Sequence, residues 1–205
     1  MSTGRSLPVL PDRVMVAIVI PCLNEAGHIE RCLASIAASS YPKDLLSVRV
    51  CDGISDDGTR EIVLRYAADH PYVELLDNPH RTTPQALNIG LQKGGFDVGI
   101  ILGAHAEVTL DFIERNVEAL RRDGTVGCAG GIIENVHENA VSRRIGAAMA
   151  HPFGVGNAHF RTGGKAGYVD TVAFGAYRKE VFEAIGFFDE ELVRNQDDEF
   201  NFRVV

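Results

Sequence analysis

The sequence predicts an α/β fold built on a mostly parallel sheet flanked by helices. Strand-like and helix-like stretches alternate over the first 124 residues, which calls for parallel strands joined by right-handed crossovers. The strands read as continuous β-branched runs, the pattern of strands buried on both faces. Polar residues collect just after the strand ends, where open α/β sheets hold their ligands.

The elements follow in order. Val14 to Ile20 is a buried strand that Pro21 is expected to stop. Asn24 and Glu25 then open a helix whose Ile29, Cys32, Leu33 and Ile36 form one apolar stripe. Leu45 to Cys51 is a second strand, followed by Asp52-Gly53-Ile54-Ser55-Asp56-Asp57-Gly58-Thr59 and a helix carrying Ile62, Val63, Tyr66 and Ala67. His70-Pro71 ends that helix, and Tyr72 to Leu76 is a short third strand. Thr83-Pro84 reads as a helix cap and first position, with Leu87 and Leu91 on one face and Gly94-Gly95 at the end. The run from Phe96 to Leu102 is the central strand; Thr109 is expected to cap a helix with Ile113, Val117 and Leu120 inward.

Beyond Thr125 the texture changes. Val126 to Ile133 and Tyr168 to Tyr177 read as strands, and Lys179 to Ile185 as a short helix. Glu134 to Gly167 has little periodicity and is either a mobile binding region or a helix–loop excursion around Arg143 to Met149. Gln196 to Arg203 looks like a helix cut short, with residues 195–205 loosely ordered or packed only on their own domain.

At 205 residues the chain suits one sizeable domain, expected over 14–205 and C-terminally truncated, after a flexible tail over 1–13. A net charge of −8 argues against a broad nucleic-acid or anionic-membrane surface. Cys22, Cys32, Cys51 and Cys128 have no metal-type spacing and read as reduced, buried thiols of a cytoplasmic protein. No run approaches a membrane span, so membrane contact is expected only through sequence beyond residue 205. Neither a P-loop nor a dinucleotide fingerprint follows a strand.

Four polar groups could meet at one sheet edge: Asn24-Glu25, Asp52, His105, and Asp197-Asp198-Glu199 from the far end of the chain. Each alone has a plain structural reading. Glu25 suits a helix N-terminus, Asp52 a turn, and His105 an exposed turn. Gly103 and Ala104 would let a ligand approach the backbone closely. The acidic run after Asp52 lacks the spacing and distal Glu of a calcium loop.

Val19-Ile20-Pro21-Cys22-Leu23-Asn24-Glu25, the Cys51–Thr59 run and Pro84-Gln85-Ala86-Leu87-Asn88-Ile89-Gly90 resemble the opening motifs of the family 2 glycosyltransferases, which have the GT-A fold. Val169 to Arg178, His151 to Asn157 and Gln196 to Arg203 are similar to the succinoglycan-type exopolysaccharide subgroup. The resemblance implies an inverting transfer of sugar from a nucleotide-diphosphate donor, such as UDP-glucose, to a lipid-linked or polysaccharide acceptor. It implies that Pro21, Asn24, Glu25 and Ala104 line the donor pocket, that Asp52 accepts from the base (uracil N3–H), and that Arg81 touches base or phosphate. Asp197 matches the family's catalytic base, with Gln196 and Glu199 in place of its neighbouring acids. The family's metal motif at the fourth strand reads Gly103-Ala104-His105 here. His105 stands where the last ligand to Mn²⁺ or Mg²⁺ belongs, but the leading carboxylate is missing unless Glu107 or a phosphate replaces it. A nucleotide-sugar-binding module with little transferase activity is the second reading of the same residues.

Overall fold

The computed structural model describes residues 6–134, 167–169, 172, 174–192 and 194–204. The expected region 134–167, the motif 151–157 and Asp170 fall largely or wholly outside these residues. Along the chain run β1 (Val16–Cys22), α1 (Ile29–Ala38), β2 (Leu46–Asp52), α2 (Thr59–Asp69), β3 (Val73–Asp77) and α3 (Thr83–Gln92). Then come β4 (Val98–Ile101), α4 (Phe112–Arg122), β5 (Cys128–Ala129), β6 (Ala176–Arg178), α5 (Lys179–Ile185) and α6 (Gln196–Val204). The strands form one sheet in the order β3-β2-β1-β4-β6-β5. Strands β1 to β4 are parallel, and β6 is antiparallel to both β4 and β5.

The alternation of β1 side chains divides the interior into two layers. Val16, Ile18 and Ile20 join α1, α2 and α4 through Ile29, Leu33, Val63, Ile113 and Leu120. Ala17 and Val19 face the other way, onto Leu87 and Leu91 of α3, Phe182 of α5 and Phe200 of α6. The expected stripes of α1 and α4 are the buried ones.

Several boundaries differ from expectation, each for a local reason. Pro21 does not stop β1, which continues to Cys22. The carbonyl of Val19 accepts from Leu102 beside β4, and that of Cys22 accepts from Gly53 beside β2. Alternation therefore turns the Pro21 nitrogen toward β4, whose pairing with β1 ends at Ile101, so the missing N–H interrupts no ladder. Asn24 and Glu25 do not open a helix. Asn24 has φ 56° and α1 begins at Ile29, which leaves both residues in a loop. Thr82, not Thr83, is the N-cap of α3, and Asp111, not Thr109, that of α4. The strand expected at 126–133 shrinks to two residues between glycines, and Phe174, at φ 52°, turns the chain out of β6's line.

Residues 6–13, expected as a loose tail, are tied down. Leu7 donates to Gly124, Pro8 accepts from Arg178, Arg121 donates to Pro11, and Leu10 is buried. At the other end, Phe200 is fully buried against the second layer. Among the described residues no helix is long and apolar enough to cross a membrane.

Among the described glycines, Gly90 marks the closest approach, between α3 and β1. A Cβ on Gly90 would stand 2.3 Å from Val19 Cγ1 and 3.1 Å from Cys51 Sγ. Gly90→Ala is therefore expected to destabilise the domain by about 1–3 kcal/mol, as overpacking does. Urea unfolding checks this; an unchanged midpoint would mean that α3 can move off the sheet.

Candidate active site

Parallel strands bring the ends of β1, β2 and β4 to one edge, and a cavity of about 460 Å³ opens there. Pro21 and Glu25 enter it from the end of β1, Arg81 from the β3–α3 loop, and Ala104 and His105 from beyond β4. Asp197 arrives from the first turn of α6. These six of the expected site residues, from four separate stretches, share one cavity.

Asn24 and Asp52 do not line it; they build its wall. The Asp52 side chain has no exposed surface and bonds inward: Oδ1 accepts from Ser55 Oγ at 2.5 Å, and Oδ2 from Ser55 N at 2.9 Å and Arg60 Nη1 at 2.8 Å. In this structure the Asp52 carboxylate, expected to meet the base, faces Ser55 and Arg60 instead of the cavity. Arg60 also reaches Asp77 Oδ1 at 2.8 Å, bridging two carboxylates that sit opposite each other on β2 and β3. Around this anchor the β1–α1 and β2–α2 loops are laced together. Asn24 N donates to Ser55 Oγ (2.8 Å), Glu25 N to Thr59 Oγ1 (2.8 Å) and Ala26 N to Asp57 Oδ2 (3.0 Å), while Asp56 N donates to Asn24 Oδ1 (3.1 Å). Bonds from Thr59 and Ala26 hold the Asp57 carboxyl below its ordinary range, so it stays an ionised acceptor.

His105 Nδ1 stands 3.6 Å from Glu25 Oε1. Glu107, expected as the substitute for the missing carboxylate, points elsewhere, to Arg31 at 3.7 Å. Position 103 is crowded: a Cβ on Gly103 would meet the Phe174 ring at 3.2 Å. Burial pushes the Cys22 thiol up, aided by Asp52 and Glu25, so this cavity-lining cysteine stays protonated.

Sequence reasoning missed Asn78, Thr82 and Phe174, which also line the cavity. Asn78 Oδ1 and Thr82 Oγ1 are buried with no partner among the described residues. Their signal was positional, because the β3–α3 loop leaves the sheet at the same edge as Asp52. Phe174 belonged to a stretch read as strand. Arg81, Phe174, Asn24, Ile54 and Asn195 all have φ between 52° and 62°. The first two line the cavity, and Asn24 and Asn195 each precede a residue that does.

Comparison with known proteins gives the family and the fold. A profile described as Glycosyl transferase family 2 matches residues 17–186. The succinoglycan biosynthesis protein ExoA of Rhizobium meliloti is 34% identical over 189 residues, which are 91% of this chain and 57% of that protein. A dolichyl N-acetyl-alpha-D-glucosaminyl phosphate 3-beta-D-2,3-diacetamido-2,3-dideoxy-beta-D-glucuronosyltransferase of Methanococcus voltae is 29% identical over 198 residues, 93% of this chain and 61% of its own. The chain thus spans about three fifths of these relatives. Among solved structures, the mannosyltransferase PcManGT from Pyrobaculum calidifontis, in complex with GDP-Man and Mn²⁺, superposes with a TM-score of 0.69 at 26% identity. That match covers 98% of this chain and 55% of PcManGT. S. aureus TarS has the same fold, with a TM-score of 0.72 at 17% identity over 92% of this chain and 54% of that one.

Removing the anchor should loosen the wall. Asp52→Ala strips a buried acceptor from Ser55 and Arg60, for an expected stability loss of about 1.5–3 kcal/mol. Chemical denaturation measures it, and wild-type stability would show that the loops hold each other without the carboxylate.

Proposed function

On the premise that the chain belongs to glycosyl transferase family 2, we propose that it is the donor-binding and catalytic part of an inverting transferase. It moves a sugar from a nucleoside-diphosphate donor, UDP-linked by preference, to a lipid-linked or polysaccharide acceptor in glycan synthesis. The observation that carries this reading is the convergence of Pro21, Glu25, Arg81, Ala104, His105 and Asp197 on one cavity. The family's GT-A fold, shared with PcManGT and TarS, accounts for the sheet edge they occupy. The PcManGT complex with GDP-Man and Mn²⁺ supports a nucleotide sugar and a divalent ion in this cavity.

The residues divide the work. Arg81, at the exposed rim, offers a permanent positive charge to the diphosphate. Ala104, with its small side chain, lets the donor lie close to the backbone. Asp197 takes the proton of the acceptor hydroxyl as its oxygen attacks the anomeric carbon; the bond from that carbon to the diphosphate oxygen breaks, and the nucleotide leaves. Asp52 and Asn24 keep the wall in shape. Asn78 and Thr82 add buried polar atoms to the side of the cavity nearest β3.

A divalent ion, when bound, supplies positive charge against the departing diphosphate. No group of three or more His, Cys, Asp or Glu side chains suited to a metal exists among the described residues. His105 and Glu25 would hold the ion as a pair, one imidazole and one carboxylate, with diphosphate oxygens completing the shell. Such a mixed set suits Mn²⁺ better than Mg²⁺.

Two measurements test the reading. Asp197→Asn should lower kcat by about a hundredfold, the usual worth of a general base, while calorimetric affinity for UDP and GDP stays unchanged. Equal loss of nucleotide affinity would make Asp197 a binding residue. Paramagnetic resonance titration should detect tight Mn²⁺ binding only with UDP or GDP present, weakened by His105→Ala and by Glu25→Gln. Tight nucleotide-free binding, or indifference to both substitutions, would remove the pair from the metal site. Gly103→Asp alone should gain little, because the Phe174 ring crowds position 103.

A further inference from the structure

Helix α3 holds a buried amide that does not line the cavity. Asn88 is 4% exposed and directs its side chain to a single turn far along the chain. Its Oδ1 accepts from Phe188 N at 3.0 Å, and its Nδ2 donates to Phe188 O at 2.9 Å and to Glu190 Oε1 at 2.8 Å. The side-chain amide thus pairs with the Phe188 backbone as a neighbouring strand would, donor to acceptor and acceptor to donor.

Phe188 passes the constraint on. It is buried, and its ring stacks on Phe200 with centroids 4.3 Å apart. Phe200 lies three positions after Asp197, on the same side of α6 within one turn. Arg203 closes the frame from below, donating to Ile185 O at 2.6 Å and Phe187 O at 2.8 Å with its guanidinium over the Phe200 ring. Tyr177 of β6 donates to Asn201 Oδ1 at 2.8 Å, which fixes the rotation of α6. On its other side α3 gives Ala86 and Leu87 to the cavity wall and follows directly on Arg81. One helix therefore touches both the donor wall and the turn on which Asp197's helix rests.

We infer that Asn88 is a positioning residue that sets where Asp197 stands relative to the donor pocket. The inference rests on the reading of Asp197 as the base. A buried amide with a purely structural role would lower stability when removed and leave the split between binding and turnover untouched. A positioning amide lets the 186–200 segment drift while the donor wall, built from β1, β2 and α3, keeps its shape.

The test compares Asn88→Ala, Asn88→Asp and Asn88→Asp with Glu190→Gln in the full protein. Asn88→Asp keeps the acceptor for Phe188 N but sets a carboxylate against Glu190. In the double variant the amide introduced at position 190 can donate back across the same gap, so it should recover part of the loss. For Asn88→Ala, amide exchange over 186–200 should quicken about tenfold or more, with β1 and β2 unchanged. UDP and GDP affinity and donor KM should stay within about twofold while kcat falls about ten- to a hundredfold, the cost of a misplaced group. Wild-type kcat in Asn88→Ala, or donor KM rising as far as kcat falls, would overturn the inference. So would unchanged exchange over 186–200. If Asn88→Ala does not fold, recovery in the double variant over Asn88→Asp decides, and no recovery counts against the inference. Wild-type turnover in Asp197→Asn would overturn the base assignment instead, and loosened exchange in the Asn88 variants would then mark the clamp as real but not catalytic.

Discussion

A carboxylate with no exposed surface is costly unless its oxygens are bonded and its charge is opposed, and Asp52 imposes that demand on everything around it. Ser55 and Arg60 meet it. In meeting it, Ser55 is fixed where its hydroxyl can also accept from Asn24 N, and α2 is fixed where Thr59 can accept from Glu25 N. The β1–α1 loop is therefore shaped from across the sheet edge. Glu25 faces His105 because a buried anion next door required a serine, an arginine and a helix start in particular places.

The cavity is also where the backbone departs from easy geometry. Among the described residues, five non-glycine residues take left-handed conformations, at roughly 1–3 kcal/mol each for ordinary side chains. Asn24 and Asn195 tolerate this region well, whereas Ile54, β-branched, does not. Close packing elsewhere offsets the cost: Gly90 lets α3 seat against Val19, and the Phe182, Phe188 and Phe200 rings fill the layer beneath α6. Phe174 links the two regimes. Its left-handed turn leads into β6 and brings its ring to 3.2 Å from where a Cβ on Gly103 would stand.

What could be read from the sequence was whatever depends on periodicity. The stripes of α1 and α4, the alternation of strands and helices, and the meeting of Glu25 and His105 at one edge follow from local pattern and parallel topology, whereas Asp197 was pointed to by the family resemblance. Pro21 misled because a strand proline is harmless or disruptive according to which neighbour its nitrogen faces, and that is a property of the sheet. Asp52 was legible as a strand-end carboxylate but not as a sealed one, since the sealing arginine lies in the following helix and makes a tertiary bond. Glu107, or a phosphate, was expected to replace the carboxylate missing at position 103, and Glu107 pairs with Arg31 instead. The nearer carboxylate came instead from Glu25, far earlier in the chain, through lacing that no spacing rule contains. Asn88 was visible only as part of a motif, because its partners sit at the other end of the chain.

Charge balance in the cavity gives the last constraint. Glu25 and Asp197 line it as carboxylates, Arg81 is its permanent cation, and His105 contributes an imidazole. The proposed nucleoside diphosphate would add negative charge near Glu25, and like charges in contact in a partly desolvated site repel by about 4 kcal/mol. Among the described lining residues, Arg81 is one permanent positive charge against two carboxyl groups and a diphosphate. On the proposed reading, Glu25 and His105 would hold a cation whose charge offsets these repulsions. Without the diphosphate, a single carboxylate and an imidazole are too few ligands to strip the ion of its waters. On the proposed reading, with glycine at position 103, ion and nucleotide would each supply charge that the other requires.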